Sequence, residues 1–210
     1  MRQLAAAPRK QACAIQGGSE LPHSIIIIVK RLVLAFLFSA LPLCARERAV
    51  VIYPREHALF HPLFYTSHQR ELVRGLRTTY DVDVHEQIAT ADALFDIDVR
   101  GASLLVISGH GNPFAISLDG RAERTLDSAQ RGRLAAFLGE LAPEATIILQ
   151  SCDTGRGFAF LVKEAAGPMR HVIAAKGTIP LDGLRIAVAP LEVGITCHDD
   201  GRDWDCTLTL

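Results

Sequence analysis

The chain is 210 residues long, with 22 Lys and Arg against 23 Asp and Glu and a formal net charge of -1. That length fits one domain plus a short targeting segment and can bury a substantial core. The near-zero charge, without a basic run interleaved with aromatic residues, excludes nucleic acid as an expected partner.

The first informative segment is apolar: Ser24–Val29 reads SIIIIV, Lys30 and Arg31 interrupt, and Leu32–Leu43 reads LVLAFLFSALPL. Two cations near its middle make a spanning helix costly. A basic pair, an apolar run and small residues near Cys44 and Ala45 have the dimensions of a secretory signal. Residues 1–45 are therefore expected to be a leader and signal peptide, the alternative being a short N-terminal membrane anchor. Membrane contact is expected through this segment alone. Met1–Val29 is overlong for such a signal, which places the expected translation start near Val29. Leu41-Pro42-Leu43-Cys44 has some likeness to a lipoprotein box, but Leu43 is bulky where a small residue is expected. The mature domain is expected to span Arg46–Leu210, exported to the periplasm or secreted.

Beyond the leader, short apolar runs alternate with helical patterns, which predicts an α/β fold with a parallel sheet covered by helices. Ala49–Tyr53 (AVVIY) is the first expected strand, and Phe64–Tyr80 has a modest helical period through Leu72, Val73 and Leu76. Asp81–Ile88 is the second strand. Ala102–Ser108 (ASLLVIS) is almost continuously apolar, as a central strand with two buried faces should be. Thr125 or Asp127 can cap a helix running to Leu141, and Pro143 closes it. Ala145–Gln150 (ATIILQ) is the fourth strand, Gly157–Ala166 a helix, and His171–Ala175 the fifth strand. Leu184–Val188 and a C-terminal β-hairpin finish the sheet or pack beside it.

That hairpin contains Cys197 and Cys206, which flank the stretch from His198 to Asp205. Export would let these cysteines form a disulfide across the strands, the alternative being two unpaired surface thiols. Once Cys13 and Cys44 are removed with the leader, the pairing leaves Cys152 as the odd thiol.

In open parallel sheets, ligands sit beyond the carboxyl ends of the strands. His110 leaves the third strand and Cys152 the fourth, and neighbouring strands lie about 4.8 Å apart, close enough for their end residues to meet. A free thiol has a pKa near 8.5, and a nearby imidazole or helix N-terminus favours its thiolate. His110 and the helix starting at Gly157 are the expected sources of that help. Gly111 would let its N–H approach a reacting carbonyl and, with the N–H of Cys152, form an oxyanion hole.

Leu104-Leu105-Val106-Ile107-Ser108-Gly109-His110-Gly111, followed by Ile147-Ile148-Leu149-Gln150-Ser151-Cys152-Asp153-Thr154-Gly155, resembles the paired motifs of the caspase-like cysteine peptidases. That group includes caspases, legumains, gingipains and bacterial CHAT domains. Gln150 to Gly155 is similar both to the Gln-Ala-Cys-x-Gly signature of caspases and to the Ser-Ala-Cys-x-Thr-Gly form of CHAT domains. The resemblance spans roughly Ala49 to Ile179. It implies a three-layer fold, a mainly parallel sheet with helices on both faces, and cysteine endopeptidase activity on a peptide or protein substrate. His110 would be the general base or acid, Cys152 the nucleophile, and Gly111 part of the oxyanion hole. No metal or organic cofactor is implied. No acidic or basic residue stands out for the pocket that would read the substrate, so its preference is open.

Other readings compete. A caspase-like domain without catalysis could serve as a binding or regulatory module of the cell envelope, and the same thiol could serve another acyl transfer, as in a transpeptidase or thioesterase. His110 and Cys152 with His198 or Asp153 could hold zinc, although their spacing matches no closed site. Asp153 would raise the thiol pKa if it pointed inward, and is expected instead to point outward or to cap the next turn. His57, His61 and His68 read as a solvated face rather than a metal cluster. Trp204, Asp199, Asp200, Asp203 and Asp205 read as a solvated turn.

Overall fold

The computed structural model of the chain describes residues 46–55, 67–119, 125–180, 182–188 and 190–210. The expected leader, with its signal, anchor and start-site alternatives, lies outside the described residues, as do His57 and His61. In chain order the elements are β1 (Arg48–Pro54), α1 (Ser67–Leu76), β2 (Asp81–Ile88), α2 (Ala91–Phe95), β3 (Leu104–Ser108), β4 (His110–Asn112), β5 (Ala115–Ser117) and β6 (Thr125–Leu126). A 3-10 turn at Ser128–Gln130 leads into α3 (Arg131–Gly139), then β7 (Thr146–Gln150), a second 3-10 turn at Thr154–Arg156, α4 (Phe158–Ala166) and β8 (His171–Ala175). The chain finishes with β9 (Leu184–Val188), β10 (Leu191–Asp199), β11 (Arg202–Asp205) and β12 (Thr207–Thr209).

Six strands form a mixed, mostly parallel sheet in the order β12-β8-β7-β3-β1-β2, with only β12 antiparallel to its neighbour. The apolar runs explain the layering, because successive strand residues face opposite sides. Val50, Ile52, Leu105, Ile107, Ile147 and Leu149 join one core with Leu94 of α2, Leu134 and Phe137 of α3, and Phe158 and Val162 of α4. Ala49, Val51, Leu104, Val106 and Ile148 join the other core with Val73 and Leu76 of α1 and with Leu184 and Ile195 of the C-terminal strands. Among the described residues helices therefore cover both faces, three on one and one on the other, where antiparallel strands complete the layer.

Several local expectations change. The helix expected over Phe64–Tyr80 is α1, ending at Leu76, with residues 77–80 in turns. Of the two candidate caps, Asp127 caps the 3-10 turn that precedes α3, not α3 itself: its side chain accepts from Ala129 N at 2.7 Å, and its own N–H donates to Gln130 Oε1 at 2.8 Å, while α3 starts after Gln130 with no side-chain cap bond. Thr125 lies in β6. The stretch after His110 is not a simple turn; it folds into the small antiparallel sheet β4-β5-β6.

The C-terminal region divides in two. β9, β10 and β11 make their own antiparallel sheet, whereas β12 joins the edge of the main sheet beside β8. Cys197 and Cys206 form the expected disulfide, S–S 2.05 Å, and both are fully buried. Cys197 pairs in register with Trp204, so Cys206 lies just past the end of β11 rather than directly across the hairpin. A disulfide points to an oxidising, exported location.

Candidate active site

The two motifs leave adjacent strands. β3 and β7 pair in parallel from Leu104↔Thr146 to Ser108↔Gln150, with no strand between them. Their exits are tied together: Ser108 Oγ donates to Gln150 Oε1 at 2.7 Å, both side chains being buried, and Gly109 N donates to Gln150 O at 3.3 Å. Past this clamp the chain turns outward on both sides. His110 opens β4 and is exposed, while Cys152 is half-buried in the turn after β7.

Glycine lets the two loops touch. A Cβ on Gly111 would overlap the Cys152 carbonyl oxygen and come within 2.7 Å of Ser151 Cβ and 2.9 Å of Thr154 Cγ2. A Cβ on Gly157 would overlap the Pro113 carbonyl oxygen in the same way. The His110 loop and the Cys152 loop are thus packed backbone to backbone at two points, which bulkier residues would forbid. His110, Gly111 and Cys152 are gathered at the carboxyl edge of the central strands.

The sulfur itself faces a third segment. Cys152 Sγ accepts a hydrogen bond from Ile179 N at 3.4 Å. Burial pushes the thiol pKa up, the Ile179 N–H pulls it down, the Asp153 carboxylate pushes it up again, and the residue's own amide pulls it down; the net direction is upward. The expectation that His110 and a helix N-terminus would favour the thiolate is therefore not what dominates. The 3-10 turn at Thr154–Arg156 and Gly157 separate Cys152 from α4, whose first residue is Phe158. Two results follow from the raised value. Alkylation of Cys152 by iodoacetamide should keep accelerating with pH beyond the point where an ordinary thiol, near pKa 8.5, levels off. Since the unfolded chain loses this proton first, stability should fall as pH rises through that window, and Cys152→Ala should remove that part of the slope in urea titrations.

Asp153 does not cap the next turn with its side chain. It adopts left-handed backbone, φ 56°, makes no side-chain cap bond and pairs with Arg156 Nε at 3.3 Å. Asp tolerates this region better than most residues, but it is an uncommon conformation directly after the thiol. Arg156 Nε also donates to Lys176 O at 2.7 Å. His198, the other suggested third zinc ligand, is engaged at 2.9 Å with Asp203. Among the described residues no three His, Cys, Asp or Glu side chains cluster as metal ligands.

Sequence reasoning missed the segment from Lys176 to Ile179, which carries no titratable motif beyond Lys176. Its signal was Gly177, placed just after an apolar strand. A Cβ there would come within 3.0 Å of the Trp204 ring and 3.1 Å of Cys197 Sγ. It also missed Ser151, whose hydroxyl is buried and has no hydrogen-bond partner among the described residues. Trp204, read as part of a solvated turn, is partly covered by packing against Gly177.

Among the described residues no helix is long and apolar enough to cross a membrane. Compared with known proteins, the chain matches no family model and no curated sequence.

Proposed function

We propose that the chain is an exported, caspase-like cysteine endopeptidase, periplasmic or secreted, with Cys152 as nucleophile and His110 as its acid–base partner. The observation that carries this reading is the packing of Gly111 onto the Cys152 carbonyl at the ends of two neighbouring parallel strands. That packing supports the reading because it brings the His110 loop and the Cys152 loop together at one edge of the sheet.

In the reaction, the Cys152 proton passes to His110 and the sulfur adds to the peptide carbonyl. The N–H groups of Gly111 and Cys152 hold the oxyanion, which requires the Cys152 amide to turn from its own sulfur to the substrate. Collapse breaks the C–N bond as His110 gives its proton to the leaving amine. Water, deprotonated by His110, then cleaves the thioester and restores the thiol. No metal or organic cofactor takes part.

The test is a peptide-library cleavage assay on residues 46–210, with labelling by a thiol-directed peptide electrophile. Wild type should cleave and label, and Cys152→Ala should do neither. Labelling that persists in Cys152→Ala removes the nucleophile assignment.

One observation favours a second reading, a catalytically silent binding or regulatory module of the cell envelope. The thiol is half-buried and its proton is held more tightly than usual. A folded wild type that neither cleaves any peptide nor labels, with its disulfide intact and after the disulfide is reduced, would favour the module over the enzyme.

A further inference from the structure

The segment Lys176–Ile179 lies between the thiol and the disulfide. Toward the thiol, Gly177 O accepts from Asp153 N at 3.0 Å, Lys176 O accepts from Arg156 Nε at 2.7 Å, and Ile179 N donates to Cys152 Sγ at 3.4 Å. Toward the disulfide, Lys176 N donates to Cys206 O at 3.0 Å and His198 N donates to Thr178 O at 2.9 Å. Gly177 rests on the Cys197 sulfur and the edge of the Trp204 ring, too close for any larger residue to fit without a shift. Three bonds therefore hold the segment to the Cys152 loop, and two bonds with one tight packing contact hold it to the cystine.

We propose that Lys176–Ile179 is a cap over the Cys152 sulfur, locked shut by the Cys197–Cys206 disulfide, so that reduction of the disulfide unmasks the thiol. The co-reactant is a dithiol reductant: it supplies two electrons and two protons, the Cys197–Cys206 bond breaks to two thiols, and the reductant closes its own disulfide. With the cystine open, the carbonyl of Cys206 and the amide of His198 no longer stand in a fixed frame, and the cap loses its anchor on that side. Water then reaches Sγ. Uncovering the sulfur removes the burial that raises the thiol pKa and also the Ile179 N–H that lowers it, so the gain in reactivity comes from access.

This inference concerns the reactivity of one thiol and does not depend on peptide hydrolysis. It is tested by the rate of Cys152 alkylation by iodoacetamide at neutral pH, followed by mass spectrometry, in two proteins compared with wild type. Cys197→Ala/Cys206→Ala lacks the lock. Gly177→Val keeps the disulfide and breaks the fit of the segment against the Cys197 sulfur and the Trp204 ring. Each should label faster, by about tenfold, because the reagent gains access to the sulfur once the segment no longer covers it. The faster rate should be independent of urea below the unfolding transition, because a local opening exposes little surface. Unchanged labelling in Gly177→Val overturns the proposal even if the double variant fails to fold. So does an acceleration that grows with urea as steeply as global unfolding does. Loss of peptide cleavage would not bear on it, and persistence of the gate in a protein without peptidase activity would leave it standing.

Discussion

Gly111→Ala is expected to cost about 3 kcal/mol of stability, at the upper end of what overpacking in a rigid site produces. The added methyl has nowhere to go. Its nearest neighbours are the Cys152 carbonyl oxygen, Ser151 Cβ and Thr154 Cγ2, all of them within 2.9 Å, and none is the far end of a flexible side chain. Thr154 is fully buried and its Oγ1 donates to Ser151 O at 3.0 Å, so it cannot rotate aside without losing that bond. The strain must move either the His110 loop or the Cys152 loop, and Pro113 against Gly157 resists the same displacement. Chemical denaturation measures the cost. Gly132→Ala is the matched control, because an added Cβ there meets nothing within 4 Å and lies in the first turn of α3, where alanine is favoured. If Gly111→Ala unfolds no more easily than that control, the two loops are not packed as described, and the close approach that carries the proposed chemistry goes with them.

What could be read in advance follows the physics of each element. Leu104–Ser108 and Thr146–Gln150 are mostly apolar, and all ten positions are buried, so central parallel strands were legible from composition alone. Their adjacency was an inference from topology, and it holds. The small sheet β4-β5-β6 was not legible: its strands are two or three residues long, too short for a period to emerge. The same limit hid α2, which has five residues and is set by Thr90, whose side chain accepts from Ala93 N. In the site, the identities of His110, Gly111 and Cys152 were visible because strand ends concentrate chemistry. The environment of the sulfur was not. It is set by a backbone amide at Ile179, and an amide carries no sequence signature. The direction of the thiol pKa depended on that amide, on burial and on Asp153, all tertiary facts.

Removing the disulfide should have the second large effect, and its size separates two things the bond does. Cys197 and Cys206 are nine residues apart, and closing a loop of that length stabilises by about 2.5 kcal/mol in the chain-entropy account. Both residues are fully buried, so trimming them to alanine also loses packing on the order of 1 kcal/mol. Cys197→Ala/Cys206→Ala should therefore lower the urea midpoint by about 1–3 M, given the usual dependence of stability on urea for small domains. A cost near that value means that the pairings of β12 with β8 and of β10 with β9 survive the loss of the bond, while the Cys206 turn and the outer end of the hairpin lose their tie. The pairings have reason to survive. β12 keeps its antiparallel pairing to β8 from Thr207↔Ala175 to Thr209↔Ile173, and β10 keeps its pairing to β9, without help from the cystine. A midpoint that does not move would mean that the bond constrains neither the unfolded chain nor the native hairpin. The lock on Lys176–Ile179 would then have nothing to release, because the segment leans on that hairpin through Cys206 O, His198 N and the Trp204 ring.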